Sequence, residues 1–470
     1  MYLKNFKLFK QKRDLKLAKR KLLSKKKLKN KRKLEYSEYV LRKTNQTISL
    51  VFNESKRTWM PTNLSYLLNC SKSVFHIEKI SKPIPNNNGY FKVPAHFSII
   101  DNPKESYNFI KNLLGSLINE SYTKIYIDYN DCVKIDLSAQ SLLDIILKDV
   151  IAYFNYRKRS HLIEASKVVE INGINFNSEE VEKLLHSVGS VAIHSNRHTS
   201  YPEIIPYPLC IHSRDQNINK IKLEEQKELD TTKLVDYVLS CLGRLNRKLT
   251  TDRIEDLSTV IGEILINAEE HSTTKYRFSI GYFHEFEGEE HYGVFRLTIL
   301  NFGQTIYEKF KDDNCPNKDV VEKMEKLSKQ YTAKKLFKGR EFEEESLWTL
   351  YALQEGVTSV APESYKKRGN GSIRFIESFF NIKGKMKEKE EVSRMVILSG
   401  NTNITFDGSY NIVDKEIHSD NFKMMTFNDS GNIEDKPDNK FVKHVDQYFP
   451  GTIISAKILF NDDDFRSKGQ

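Results

Sequence analysis

The sequence predicts an α+β protein in three parts. A basic helical arm spans residues 1–43 and a middle α/β domain spans 44–212. A polar linker at 213–230 then leads into a C-terminal sandwich, 231–463, whose helices pack on an antiparallel-rich mixed sheet. Three observations carry this reading. The first 33 residues hold 16 Lys or Arg against a single acid, Asp14. Residues 124–154 pass from a two-residue to a 3.6-residue apolar period. From Thr231 on, two long helical patterns precede two alternating strand patterns joined by the acidic turn EGEEH.

In the arm, Leu3, Phe6, Phe9, Leu15, Leu22 and Leu23 recur among the lysines with neither Gly nor Pro, as an amphipathic helix requires. Short apolar runs follow, broken by Pro83, Pro85 and the Asn86–Gly89 turn. KIYID, residues 124–128, alternates like a strand. Leu142, Leu143, Ile146, Val150 and Ile151 place a helix over 138–154, and a further helix is expected over 178–185. Pro202, Pro206 and Pro208 interrupt the pattern before the linker. The sandwich then reads as helices at 231–245 and 252–270, strands at 276–286 and 292–300, helices and loops over 304–368, a helix at 372–380, and strands at 392–398 and 452–460.

Of the 470 residues, 39% are hydrophobic and 29% charged, which suits several ordinary cores. The net charge of +11 resides in the arm, since the chain beyond residue 33 is net −4. Only the arm therefore argues for a nucleic acid or another polyanion. Beyond Tyr2, Phe6 and Phe9, residues 1–34 hold no aromatic side chain, which speaks against base-specific stacking. A solvated tail is the equal alternative. No stretch is long and apolar enough for a membrane span and the start lacks a secretory run, so a cytoplasmic location is expected. The five cysteines are scattered and fit no zinc or redox spacing.

The most informative segment is IGEILINAEEHS, residues 261–272. Its helix already has a core stripe in Ile254, Leu257, Val260, Ile261, Ile264, Leu265 and Ala268, and it carries Glu263 and Asn267 four residues apart on one side. Asparagine is a poor helix former that favours caps and turns, so its mid-helix place calls for a ligand. The pattern E-x-x-x-N-A-x-x-H resembles the N-box of the GHKL superfamily, which includes gyrase, heat-shock chaperone ATPases and histidine kinases and builds a Bergerat-type sandwich.

That resemblance implies ATP and magnesium as cofactors. It makes the Asn267 oxygen a magnesium ligand and Glu263 the base that orients or deprotonates the nucleophile. The next family box falls on Asn301 and Gly303, with Asn301 where the family has an Asp that accepts from the adenine amino group. Arg368, Gly369, Asn370 and Gly371 match the glycine-rich phosphate loop that opens a helix. Thr452 follows Gly451 as in the Gly-Thr pair before the last strand, and residues 304–368 would be the ATP lid.

KIYIDYNDCVKIDLSAQSLLDIIL resembles the core of a STAS domain, whose helix-start serine is phosphorylated by a GHKL kinase. Ser138 occupies that phosphoacceptor position, with a plain helix N-cap as the alternative reading. These resemblances imply an ATPase that acts as an ATP-dependent switch coupled to the STAS-like domain, with that domain or a partner sensing the closure; a protein partner or a homodimer is expected. Two alternatives stay open: an anti-sigma-type serine/threonine kinase, and a nucleotide-gated nucleic-acid-binding or antiphage-defence component that works through residues 1–34.

Overall fold

Strand patterns that are apolar on both sides need cover on both faces, and the central sheet of this protein has it. The computed structural model describes residues 59–80, 88–119, 122–160, 170–193, 200–213, 220–270, 272–288, 291–333, 341–359, 371–382, 393–417 and 420–461. The basic arm lies outside the described residues, as do Arg368, Gly369 and Asn370.

The first part contains α1 (Thr62–Asn69), α2 (Ile77–Ile80), β1 (Tyr90–Lys92), β2 (His96–Phe97), α3 (Pro103–Ile118), β3 (Lys124–Asp128), β4 (Lys134–Ile135), α4 (Leu137–Arg159), β5 (Glu170–Ile174) and α5 (Glu179–Val188). Strands β1, β3 and β5 form a parallel sheet with β3 in the middle, and β2 pairs with β4 in a second parallel pair. Pro103 sits in the first turn of α3, where its missing N–H costs nothing. Helix α5 starts at the Ser178 cap and stops at Gly189, which takes the left-handed conformation at φ 67°.

The second part contains β6 (Ile204–Ser213), α6 (Lys220–Arg244), α7 (Thr251–Glu270), β7 (Ser272–Phe286), β8 (Tyr292–Gly303), α8 (Ile306–Lys311), α9 (Lys318–Thr332), α10 (Glu344–Ala352), α11 (Gly371–Ile382), β9 (Arg394–Phe406), β10 (Val413–Ile417), β11 (Asp420–Met424) and β12 (Val442–Asn461). Five strands make one antiparallel sheet in the order β6-β7-β8-β12-β9, and β10 and β11 form a separate hairpin. The fold is mixed α+β, with parallel and antiparallel sheets.

Side chains alternate across each strand, and here the two sets enter two cores. Phe278, Ile280, Tyr282, Leu300, Phe302, Leu398 and Ile453 pack with the α/β layer, chiefly α1, α4 and α5. Phe283, Phe295, Leu297, Ile299, Ile397, Ile458 and Phe460 pack with α6, α7, α10 and α11. Gly281 is a glycine because the Tyr237 ring from α6 rests on it and leaves no room for a β-carbon.

Three sequence expectations change here. The residues before the expected boundary at 213–230 include β6, which hydrogen-bonds to β7 and belongs to the large sheet. Its prolines fit because β6 is an edge strand with a bulge between Tyr207 and Cys210, where missing N–H groups interrupt no ladder. Residues 220–230, expected as linker, are the first turns of α6. Their polarity belongs to a largely exposed helix start, with Gln226 donating to Asp230 one turn on at 2.9 Å.

The span expected as a lid, 304–368, holds α8, α9 and α10. Helix α10 brings Leu347, Trp348, Leu350 and Tyr351 into the helical core, and Trp348 Nε1 donates to Ser328 Oγ at 3.0 Å. The described part of that span is thus anchored in the core by a fully buried tryptophan.

Because the two parts share a core across the sheet, they are expected to unfold together. The chain has two tryptophans, exposed Trp59 beside the α/β layer and buried Trp348 in the helical layer. Denaturant titrations followed by fluorescence of Trp59→Phe and Trp348→Phe should give coincident midpoints once each variant's own stability change is taken into account. Two separated transitions in a single variant, seen by circular dichroism, would show independent domains instead.

Candidate functional site

Helix α7 runs from Thr251 to Glu270 and packs on α6, α11, β7 and β8. Its buried side carries Leu257, Val260, Ile261, Ile264 and Leu265. Glu263 and Asn267 lie outside that stripe and are half-buried. Burial pushes the Glu263 carboxyl up from its ordinary value, while Arg374 on α11 pulls it the other way. Arg374 is otherwise paired with Glu355, at 3.1 Å. Among the described residues no hydrogen bond engages the Asn267 side chain and no cation lies within ion-pair distance of Glu263.

The C-terminal end of α7 is tied to the end of the sheet by one amide. Asn301 Nδ2 donates to the Ala268 carbonyl at 2.7 Å, and Asn301 Oδ1 accepts from the Thr452 N–H at 3.2 Å. Thr452 Oγ1 lies 2.9 Å from Ser399 Oγ, which accepts from the Ile306 N–H at 3.0 Å. Gly451 completes the knot: at φ 152° its α-carbon faces the Asn301 carbonyl so closely that any β-carbon would overlap it.

The structure thus gathers Asn301, Gly303 and Thr452 at one end of the sheet, next to the chain segment that carries Asn267, and starts α11 at Gly371 on a helix packed against α7. Asn301 is only 1% exposed, with its amide bonded at both ends inside the protein. Its place is a tie between helix and sheet, not the open adenine acceptor that its position in the motif implies.

Ser138 is also reassigned. It is fully buried, and its hydroxyl donates to Asp136 Oδ2 at 2.5 Å. Asp136 is the N-cap of α4, accepting from the Ser138 N–H at 3.3 Å. A hydroxyl held this way offers no face to a kinase, so neither the phosphoacceptor nor the N-cap reading of Ser138 survives.

A buried charge cluster beside Asn267 was not visible in the sequence. His212 on β6 has Nδ1 at 3.0 Å from Asp230 Oδ2 on α6 and Nε2 at 3.2 Å from Glu269 Oε2 on α7. Arg277 on β7 donates to Asp230 at 2.8 Å, and Lys227 Nζ is 3.5 Å from Glu269 Oε1. Burial opposes ionisation of both acids, yet His212 and the nearby cations hold Asp230 and Glu269 below the usual carboxylate range. The Asp230 and then the Glu269 contact raise the His212 imidazole. The cluster joins β6, α6, α7 and β7 just beyond Asn267. A histidine in a proline-broken strand and an acid one residue before a helix end gave no sign of meeting.

Among the described residues no group of three or more His, Cys, Asp or Glu is arranged to hold a metal ion, and no helix is long and apolar enough to cross a membrane. Comparison of the chain with protein-family models, with curated proteins and with solved structures finds no match.

Two outcomes follow from this geometry. Asn301→Asp replaces the donor to Ala268 with a second oxygen, and should destabilise the fold by about 1–3 kcal/mol in denaturant titrations. For His212 the folded pKa lies above the unfolded value near 6.5. Its contribution is therefore complete below that pH and is lost as pH rises through the folded pKa. Melting temperature measured from pH 6 upward should fall more steeply in the wild type than in His212→Gln.

Proposed function

We propose that the C-terminal part binds Mg-ATP and acts as an ATPase switch, with Glu263 as general base and Asn267 as the protein ligand of the magnesium ion. The observation that carries this reading is the state of these two side chains. They sit four residues apart on a helix whose opposite face is core, half-buried and without a side-chain partner among the described residues, while Asn301 and Thr452 nearby are fixed in place. A carbonyl-type oxygen suits a hard cation, and magnesium is commonly held by one or two protein oxygens together with phosphates and water. A single Asn267 oxygen fits that habit, and the absence of a three-carboxylate cage among the described residues does not oppose it.

Bound magnesium would neutralise the charge of the triphosphate. Glu263 takes the proton of the attacking water as the water oxygen bonds to the terminal phosphorus and the bond to the ADP oxygen breaks. A carboxyl raised by burial is a stronger base than an exposed one and so better matched to this task. The family resemblance of residues 261–272 supports the assignment, as does the helix that begins at Gly371, since a helix N-terminus favours phosphate. Adenine recognition through Asn301 is not part of the proposal. The coupling route is the shared sheet: β8 and β12, whose ends surround the site, also carry Phe302 and Ile453 into the core of the α/β layer.

Calorimetry with magnesium and ATP tests the reading. Binding is expected in the wild type, with a loss of about ten-fold or more in Asn267→Ala. Glu263→Gln should keep binding and lose turnover by about 10²-fold or more, measured as phosphate release. Wild-type protein that binds neither ATP nor ADP would remove the proposal.

A further inference from the structure

The other face of the sheet carries a charge pattern that the nucleotide reading does not use. Arg296 on β8 and Arg394 on β9 are each the direct cross-strand partner of Lys457 on β12. Three cations therefore occupy one rung across three adjacent strands. Like charges placed directly opposite each other destabilise a sheet, and this rung is not at a free surface. Burial, together with Arg296, Lys134 and Arg394, pushes the Lys457 ammonium down to about 8.

Facing the rung across a gap is the β2–β4 pair, with His96 and Lys134 as direct partners. Between the two walls lies a cavity of about 320 Å³, lined by these five side chains and by Ser98, Asp101, Asp136 and Ser455 among others.

The acids nearby are already engaged. Asp101 takes Arg394 in a two-point pair, Nη1 to Oδ1 at 2.7 Å and Nη2 to Oδ2. Glu180 accepts from Arg296 Nη2 at 2.8 Å, and the same guanidinium lies 5.5 Å from the centre of the Tyr282 ring. Asp136 is held by the hydroxyls of Ser98 and Ser138. Among the described residues neither Lys134 nor Lys457 has a carboxylate within ion-pair distance. Two ammonium groups on opposite walls, unpaired among the described residues, with guanidinium donors left over on either side, match a dianion. The volume suits a small one.

We propose that this cavity binds a small phosphate-bearing molecule, with Lys457 and Lys134 as its charge ligands and the remaining N–H groups of Arg296 and Arg394 as further donors. The site is separate from the Glu263 and Asn267 region, which lies on the helical face of the same sheet.

The test uses the full chain near neutral pH, with melting temperature read against inorganic phosphate, glycerol phosphate and potassium chloride at matched ionic strength. Both phosphates should raise the wild-type melting temperature in a saturable way, and chloride should not. A stronger response to glycerol phosphate would assign an organic phosphate as the ligand, and an equal one the phosphate group alone.

Lys457→Met should melt at or above the wild type without ligand, because the repulsion in the rung is relieved. It should need about ten-fold or more phosphate for the same shift. Lys134→Gln, at an exposed position, should lose the response similarly and guards against misfolding of the first variant. Asn267→Ala should respond like the wild type, which separates this site from the nucleotide site. Phosphate acting no differently from chloride, or both lysine variants responding as the wild type does, would overturn the proposal.

Discussion

Everything in this molecule depends on burying both faces of one antiparallel sheet. An antiparallel sheet commonly leaves one face to water, but here Phe278, Ile280 and Tyr282 go one way along β7 while Phe283 goes the other. Neither layer is complete without the strands. The α/β layer would lose the apolar floor under α4, and the helical layer would lose the wall against which Trp348, Phe375 and Phe379 pack. The chain therefore behaves as a layered stack, not as a pair of modules on a tether.

That stacking explains which parts of the fold were legible in the sequence. Segments whose period is set by burial on one side, such as α7 with its Ile and Leu stripe or β3 with KIYID, gave the right element within a few residues. The strands β9 and β12 were placed but shortened. Their outer halves carry Gly, Asn, Thr and Tyr that read as loop, although Thr402 and Phe449 are buried. Strand β6 was lost to its prolines, because an edge position is a tertiary fact with no local signature. The polar start of α6 read as linker for a related reason: an exposed helix turn and a solvated linker share a composition.

At the candidate site, motif spacing singled out Glu263, Asn267, Asn301 and Thr452, and the last two do meet at one end of the sheet. What spacing could not convey is the work each side chain does once packed. Asn301 spends both ends of its amide on Ala268 and Thr452, and Ser138 spends its hydroxyl on Asp136. The groups left unspent, Glu263 and Asn267 on one face and Lys134 and Lys457 on the other, are the ones with chemistry to offer. The His212 cluster lies between these extremes, since its charges are matched but buried. Removing one partner there would strand the others at a cost greater than the pair is worth.

The rung of Arg296, Lys457 and Arg394 also bears on how the chain finds this arrangement. Because side chains alternate with a period of two, sliding β12 by one residue against its neighbours would exchange its faces. Lys457 would then point at the layer now filled by Phe295, Ile397 and Phe379, where an ammonium has neither water nor a partner. The pairing of Gly451 and Thr452 with Asn301 marks the same alignment nearer the middle of the strand. The charge that weakens the native pairing weakens the misaligned one far more, so it works as a proofreading mark during folding.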